Sequence, residues 1–270
     1  MKLDDAALNE LVDTVLQGAS YRQLSLDLVR RIARQEMAKR KSFKEAVRTT
    51  RSKIHQTAGA YQERKVPYSD LIQRMQALPE IIRHPETRSF CTDAMFYHAS
   101  TQERLPILSD FFNTCLASIQ PVTSILDLGC GFNPLCLPWM PASASIEYIA
   151  CDIYSDMIDF INTYFQYYHI KGEAFLCDLG SQIPEHQVQI ALILKMIPCL
   201  EQTDKSIGKK IMQAIKAEHI LVSFPVHSLG GRSKGMRQHY TQHFNELITG
   251  EDWKVTAFDF DTEMAFFISR

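Results

Sequence analysis

The sequence predicts an α/β fold: a mostly parallel sheet that ends in an antiparallel hairpin and is preceded by an all-helical N-terminal region. From residue 3 to about 98, apolar residues recur at helical spacing and no convincing strand pattern is present. From about residue 104, short runs rich in Val, Ile and Leu alternate with helical stretches, which is typical of a parallel sheet covered on both faces. We therefore expect two units, residues 1–103 and residues 104–270.

The helical region carries a clear apolar stripe and is interrupted by prolines. Leu24, Leu28 and Ile32 recur every four residues, as on the buried face of an amphipathic helix. Three prolines between 67 and 85 then break the pattern, and a short helix is predicted at 69–77.

The α/β region contains apolar runs that predict strands and longer periodic stretches that predict helices. The predicted strands are residues 124–128, 146–151, 174–177, 189–194 and 219–224. The predicted helices include 105–119, 155–168 and 206–217. Two last runs, 253–260 and 263–269, are separated only by Asp261 and Thr262, which predicts an antiparallel hairpin at one edge of the sheet.

The composition is that of an ordinary folded protein. The chain has 270 residues, of which 46% are hydrophobic and 22% charged, which excludes a disordered or fibrous protein. The sequence contains no run of about 18 apolar residues, the length needed to span a membrane. Acidic residues stand near the N-terminus where a secretion signal would be basic and then apolar, so we expect a cytoplasmic protein.

The cysteines indicate a reducing compartment. There are seven of them, an odd number, and no two form a CxxC pair. Cys130, Cys151, Cys177 and Cys199 lie in or beside runs predicted to be buried strands. We expect them to be reduced core residues, with no disulfide and no structural zinc.

Charge is distributed unevenly along the chain. Residues 20–65 hold 13 Lys and Arg against four Asp and Glu, a net charge of +9, although the whole chain carries −2. The rest of the chain is therefore acidic. A basic helical segment on an acidic body predicts contact with a polyanion, and Arg48, Arg51 and Lys53 are the candidate contacts. An ordinary solvated helical face is the alternative interpretation.

A glycine turn follows the first predicted strand. In the segment SILDLGCGFNP, the strand reaches Asp127, and Gly129 and Gly131 allow the backbone to turn tightly beside a ligand. A dinucleotide-binding site would place a third glycine where residues 132–134 read Phe-Asn-Pro, and proline removes a backbone donor for phosphate. An ordinary strand-to-helix turn remains the alternative.

Acidic residues also end the next two predicted strands. Asp152 can accept both hydroxyls of a ribose, although a helix cap is an alternative role. Asp178 can accept from an adenine amino group, and Leu179 can cover the ring. Because ligands of open α/β sheets bind at the carboxyl edge, these residues predict a nucleoside site there.

This combination resembles the S-adenosylmethionine-binding core of class I methyltransferases, which has a Rossmann-like fold. The likeness extends through four segments, LDLGCGFNPL, TQERLP, LILKMIPCLEQ and VSFPVHSLGGRSKGM. Together they resemble the Arm/Rmt family of aminoglycoside-resistance 16S rRNA methyltransferases, and the resemblance covers essentially the whole chain, including the basic helical region.

The resemblance implies methyl transfer from S-adenosylmethionine to N7 of guanine 1405 of 16S rRNA. The acceptor lies in the decoding site of the mature 30S subunit, in the bacterial cytoplasm, and its methylation blocks gentamicin- and kanamycin-type drugs. No membrane and no metal take part. Two alternatives stay open: a class I methyltransferase acting on another rRNA site or on a small molecule, and a non-catalytic ribosome-binding or assembly factor.

The resemblance also implies a set of site residues. Arg104 would clamp the cofactor carboxylate. The implied cofactor-binding residues are Tyr61, His98, Ala99, Ser100, Arg104, Gly129, Gly131, Asp152, Asp178, Leu179, Leu194 and Gln202.

Further residues are implied on the RNA side. Lys195 would lie beside the transferred methyl group and Met236 would pack on the flipped base, while no residue acts as acid or base. The implied RNA-binding residues are Arg48, Arg51, Lys53, Arg232, Lys234 and Arg237. For Lys195 a lysine at a sheet edge is the alternative, for Met236 a loop anchor, and for Tyr61 a core tyrosine.

Overall fold

The computed structural model describes residues 5–59, 65–227 and 235–270. Within these ranges the helices are α1 (Asp5–Leu16), α2 (Leu26–Lys39), α3 (Phe43–Ile54), α4 (Tyr68–Gln76), α5 (Pro85–Met95), α6 (Ala99–Arg104), α7 (Leu108–Cys115), α8 (Ser155–Tyr167), α9 (Ile197–Leu200), α10 (Ile207–Ala214) and α11 (Met236–Leu247). The strands are β1 (Val122–Leu128), β2 (Ala142–Asp152), β3 (Lys171–Leu176), β4 (Val188–Leu194), β5 (Ala217–Pro225), β6 (Lys254–Asp259) and β7 (Glu263–Ser269).

The strands form one sheet in the order β3-β2-β1-β4-β5-β7-β6. The first five in the chain pair in parallel, and β7 runs antiparallel to both β5 and β6. The α/β fold with a C-terminal hairpin is therefore confirmed. Because the strand order reverses between β1 and β4, the crevice for a ligand opens at the carboxyl ends of these strands.

The observed elements differ from the predicted ones where polar residues or prolines intervene. The stretch predicted as a helix at 105–119 is helical only in α7, with 3₁₀ turns at Leu105–Ile107 and Ala117–Ile119. Pro106 removes a backbone donor within the first of these turns, so a regular helix does not begin until after it. Strands β2 and β3 begin earlier than predicted, because their first residues are polar or exposed and carry no apolar signal.

Apolar side chains pack into three separate cores. One face of the sheet packs against α4, α5, α7 and α8, and the other against α10 and α11. Helices α1–α3 enclose a third core of their own, between Leu8 and Ile54. Packing therefore groups α4 and α5 with the sheet, whereas a boundary between folding units at 103/104 stays a prediction.

Helices α1–α3 form an N-terminal unit that is hydrogen-bonded to the loop after β2. Its basic helix, α3, begins with a side-chain cap. Ser42 accepts the backbone N–H of Glu45 at 3.3 Å, which starts α3 at Phe43. Ser25 N–H donates to Ile153 O at 2.7 Å, and Ser155 N–H donates to Gln23 O at 2.7 Å. These bonds hold the N-terminal unit against the carboxyl edge of the sheet.

The cysteines are buried, and two kinds of feature are absent from the described residues. All seven cysteines are free. In the described part of the chain, no helix is long and apolar enough to cross a membrane. The same ranges hold no group of three or more His, Cys, Asp or Glu side chains arranged to bind a metal ion.

Candidate active site at the carboxyl edge of the sheet

A pocket lies where the carboxyl ends of the central strands meet. Its lining comes from the turn after β1, the ends of β2 and β4, the start of α6 and Thr57. The lining residues are Thr57, His98, Ser100, Gly129, Asp152, Ile153, Tyr154, Leu194, Lys195, Met196 and Cys199. Thr57 lies in the helical turn His55–Gly59 that follows α3, so the segment after the N-terminal unit contributes one residue to a pocket built mainly on the sheet.

The glycine turn brings the backbone close to neighbouring side chains. Gly129 and Gly131 have φ angles of +63° and +49°, in the left-handed region that favours glycine. A Cβ on Gly129 would lie 2.4 Å from Met196 Sδ, and one on Gly131 would lie 2.5 Å from His98 Cε1. Both positions therefore favour glycine for its backbone conformation, and at each an added Cβ would displace a side chain that lines the pocket.

Asp152 is buried beside this turn and is oriented by backbone donors. Gly131 N–H donates to its Oδ2 at 2.9 Å and Ile153 N–H donates to its Oδ1 at 2.6 Å. Burial raises the pKa of this carboxyl, while these hydrogen bonds oppose the rise. The backbone N–H of Tyr154 also interacts with this carboxylate and opposes the rise in its pKa. Three donors do not fill the roughly four acceptor positions of a carboxylate, and Asp152 lines the pocket.

A cluster of buried charges lies behind the pocket. Arg104, with no exposed surface, donates from Nε and Nη2 to the two oxygens of Glu263 at 2.9 and 2.7 Å, and from Nη1 to Asn133 Oδ1 at 2.7 Å. Burial by itself would raise the pKa of Glu263, but Arg104 and Lys195 outweigh it and hold that pKa below its usual value. The carboxylate therefore stays charged and interacts with both cations.

Lys195 joins this cluster to the pocket. Its Nζ lies 2.8 Å from Glu103 Oε2, 3.3 Å from Glu263 Oε2 and 3.3 Å from Ser100 O. Its φ of +57° is rare for a residue with a side chain, and strained backbone of this kind concentrates at functional sites. The strained conformation turns the chain from β4 directly into the pocket wall.

The Asp178 carboxylate accepts hydrogen bonds from three residues. Arg31 of α2 donates from Nε to Oδ2 at 2.6 Å and from Nη2 to Oδ1 at 2.8 Å. Ser181 Oγ donates to Oδ2 at 2.7 Å and Gly180 N–H to Oδ1 at 3.2 Å. Burial would raise the pKa of Asp178, but the bonds from Arg31 and Ser181 prevail and lower it.

Comparison with known proteins identifies the family. The family described as "Ribosomal RNA methyltransferase (FmrO)" matches residues 17–268. The chain belongs to this family. It is 30% identical to a 16S rRNA (guanine(1405)-N(7))-methyltransferase of Frankia casuarinae, over 98% of this chain and 95% of that one. A protein of the same name from Serratia marcescens is 30% identical, over 90% and 91% of the two chains.

Solved structures of related proteins share the fold of this rRNA methyltransferase over almost its full length. The 16S rRNA methyltransferase RmtF, crystallised with S-adenosyl-L-homocysteine, gives a TM-score of 0.84 at 25% identity and covers 98% of both chains. The 16S rRNA methylase RmtB gives a TM-score of 0.81 at 24% identity, over 97% of this chain and 98% of that one. The predicted family and fold are thereby confirmed.

The predicted cofactor residues of the rRNA methyltransferase fall into two groups in space. The pocket is lined by His98, Ser100, Gly129, Asp152 and Leu194, together with Lys195. The others lie behind or beside it: Ala99 in α6, Arg104 in the buried charge cluster, Gly131 under Asp152, Asp178 on Arg31, Leu179 in the core and Gln202 on an exposed turn. Tyr61 lies outside the described residues. These binding roles stay predictions.

The predicted RNA-binding residues differ in exposure and in the contacts they make within the protein. Arg48 is exposed on α3, and Lys53 is half-buried on the same helix. Arg51 instead donates to Thr14 O at 2.7 Å, which ties α3 to α1. Arg237 pairs with Asp259 and donates to Phe260 O at 3.0 Å, and Met236 begins α11. Arg232 and Lys234 lie outside the described residues.

Several residues of the site are not among those predicted from the sequence. Thr57, Ile153 and Tyr154 line the pocket outside the segments quoted for the resemblance, while Met196 and Cys199 lie within LILKMIPCLEQ, although the resemblance implies no role for them. Glu263 and Arg31 reach the site from distant parts of the chain. For Glu263 a signal existed, since it is the acid at the start of the otherwise apolar strand EMAFFIS.

Proposed function

We propose that this chain transfers a methyl group from S-adenosylmethionine to N7 of guanine 1405 of 16S rRNA within the mature 30S subunit. The observation that carries the proposal is the pocket at the carboxyl edge, which joins the glycine turn and Asp152 in a full-length member of an rRNA methyltransferase family. Methylation in the cytoplasm at this position would give resistance to gentamicin- and kanamycin-type aminoglycosides.

The residues of the pocket fit such a cofactor. At Gly129 the absence of a side chain leaves the backbone exposed to the pocket, beside the flexible Met196 side chain that an added Cβ would displace. Asp152 keeps acceptor capacity for a ribose hydroxyl, while the backbone N–H groups of Gly131, Ile153 and Tyr154 orient its carboxylate. Leu194 and Ile153 supply apolar wall beside it.

The chain's own residues would act by binding and orientation. When bound, S-adenosylmethionine supplies a methyl group on a positively charged sulfur. N7 of guanine carries a lone pair and no proton, so no general base is required. Arg104 and Lys195 form ion pairs with Glu263 and Glu103, and these pairs stiffen the wall from which Lys195 and Ser100 face the pocket. Holding two reactants in line can lower a barrier by roughly 7–11 kcal/mol.

The acceptor atom N7 can be reached only when the target guanine moves out of the RNA helix. In A-form RNA, N7 lies in a deep and narrow groove that side chains read poorly. The target guanine must therefore leave its stack, at a cost on the order of a few kcal/mol. Phosphate contacts from the basic face of α3, with Arg48 at its surface, would offset this cost and fix the register of the enzyme on the subunit.

The test is methyl transfer to purified, unmethylated 30S subunits, followed by borohydride–aniline strand scission, which cuts at N7-methylguanine. A single cut at guanine 1405 is the expected result. Incorporation without a cut would move the target to another atom or site. Absence of incorporation into 30S, with transfer to a small molecule or with no cofactor binding at all, would favour the other acceptor classes or a non-catalytic ribosome-binding role.

A further inference from the structure

Arg31 differs from the other arginines of its helix. It lies on α2 in the basic segment, yet only 16% of its side chain is exposed. Its neighbours Arg30 and Arg34 are exposed. Arg31 instead points to the carboxyl end of β3, where it forms a two-point ion pair with Asp178 and lies 3.5 Å from Thr203 Oγ1. A basic residue of the N-terminal unit thus forms an ion pair within the protein and is not available at the surface for RNA.

The Asp178 carboxylate has its hydrogen-bonding capacity filled. Two carboxylate oxygens offer about four acceptor positions. Arg31 takes one on each oxygen, Ser181 takes a second on Oδ2, and Gly180 N–H takes a second on Oδ1. Asp178 can therefore accept from an adenine amino group only if Ser181 or Gly180 yields, because the ion pair from Arg31 is charge-assisted at both oxygens.

The chain leaves space for this arginine. A Cβ on Gly180 would lie 2.5 Å from Arg31 Cζ, so any larger residue at this position would displace the guanidinium. The pair is also mostly buried, with 2% of the Asp178 side chain exposed. Its geometry is thus fixed by packing from both partners.

We propose that Arg31 is a positioning residue at the carboxyl edge of the sheet: its ion pair holds the Asp178 carboxylate at the end of β3 so that an adenine amino group can replace the Ser181 hydroxyl on Oδ2. Cofactor affinity would then depend on a side chain of the N-terminal unit. The inference rests on the cofactor proposed above. The ion pair would also couple the two units energetically. A partner that shifts α2 would change cofactor affinity, and by thermodynamic reciprocity the cofactor would change the affinity for that partner by the same factor. A role confined to docking α2 on the sheet is the competing explanation.

The test measures binding of S-adenosylhomocysteine to the full chain by calorimetry, with and without substitution of Arg31. For Arg31→Gln we expect Kd to rise by about tenfold, and the KM for S-adenosylmethionine to rise with it while kcat changes little. Arg31→Lys, which keeps the charge but loses the two-point geometry, should be intermediate. Arg30→Gln is the matched control, since Arg30 is exposed on the same helix and donates to Asn9.

A double substitution separates positioning from docking. If Arg31 acts through Asp178, then Arg31→Gln in an Asp178→Asn background should raise Kd no further. A lower unfolding midpoint for Arg31→Gln with unchanged Kd and KM would overturn the inference in favour of docking. If the wild-type chain itself does not bind S-adenosylhomocysteine, the proposed cofactor fails rather than the role of one arginine.

Discussion

Arg104 and Glu263 form a two-point ion pair with no exposed surface, although 159 residues separate them in the chain. The pair connects the end of α6 to the start of β7. Lys195 Nζ lies 3.3 Å from the same carboxylate and 2.8 Å from Glu103 Oε2, so two acids face the two cations. Removing one partner from such a group leaves charge buried without compensation, which is far more costly than losing a surface pair.

Glu263→Gln should therefore destabilise the protein strongly. We expect the free energy of unfolding in urea at neutral pH to fall by about 3–5 kcal/mol. Because the folded-state pKa of Glu263 is lowered, its contribution is complete above the ordinary carboxyl pKa and is lost as pH falls through the lowered value. The difference from wild type should shrink in acid. Glu185→Gln, which removes an exposed pair with Lys216, is the control and should leave the midpoint unchanged; an equal effect of the two substitutions would contradict the prediction.

Asp127 should show the opposite dependence on pH. Burial raises its pKa to about 7, although hydrogen bonds from Tyr148 and Asn133 oppose the rise. Between its unfolded and folded pKa values the folded state holds a proton that the unfolded state has lost, so wild-type stability falls as pH rises. Asp127→Asn removes this dependence. The free energies of unfolding of the variant and the wild type should be measured at about pH 5 and about pH 8. The difference between them should shift in favour of the variant by roughly 2–3 kcal/mol over this range. A constant difference at both pH values would argue against the raised pKa.

Gly129→Ala should weaken cofactor binding without unfolding the protein. Its Cβ would displace the flexible side chain of Met196, which lines the same pocket, and the backbone there has a positive φ. We expect the Kd of S-adenosylhomocysteine to rise by at least about tenfold, a loss of about 1.4 kcal/mol. Gly250→Ala is a matched control, since Gly250 also has a positive φ but its Cβ would meet nothing within 4 Å. Equal affinities of the two variants would place the cofactor elsewhere.

Charge reversal on α3 should separate the surface residues from the structural one. Arg48→Glu should weaken 30S binding and reduce the dependence of log K on log salt by about one for each phosphate that is no longer neutralised, while cofactor affinity stays constant. Arg51→Glu should lower the unfolding midpoint as well, because Arg51 holds Thr14 O. Lys254→Glu, an exposed reversal on β6, is the control. Unchanged 30S binding by Arg48→Glu would remove α3 from the RNA interface.

The fold was predictable because its signals are local. Continuous apolar runs located the parallel strands, and two residues between the last two runs located the hairpin. Element ends were less accessible: β3 begins at Lys171, Gly172 and Glu173, which carry no apolar pattern. The break at Pro106 shows the same limit, since one missing backbone donor changes helix geometry without changing the apolar stripe.

The site was predictable only where it follows strand order. Asp152 and Gly129 sit at strand ends, so their meeting at the sheet edge follows from topology. Arg31 could not be assigned in the same way: helical periodicity tells which face a residue occupies, but its partner Asp178 lies 147 residues away in the chain. Contacts of this kind depend on how α2 packs on the sheet, which no local pattern records.

The separate core of α1–α3 has a consequence for how such enzymes diverge. Its apolar side chains pack among themselves between Leu8 and Ile54, and the exposed charges of α3 lie on the other side of the helix. Exposed positions such as Arg48 can therefore be exchanged over generations without repacking the sheet. Arg31 is the exception on the same unit, because any exchange there breaks the ion pair with Asp178 at the end of β3.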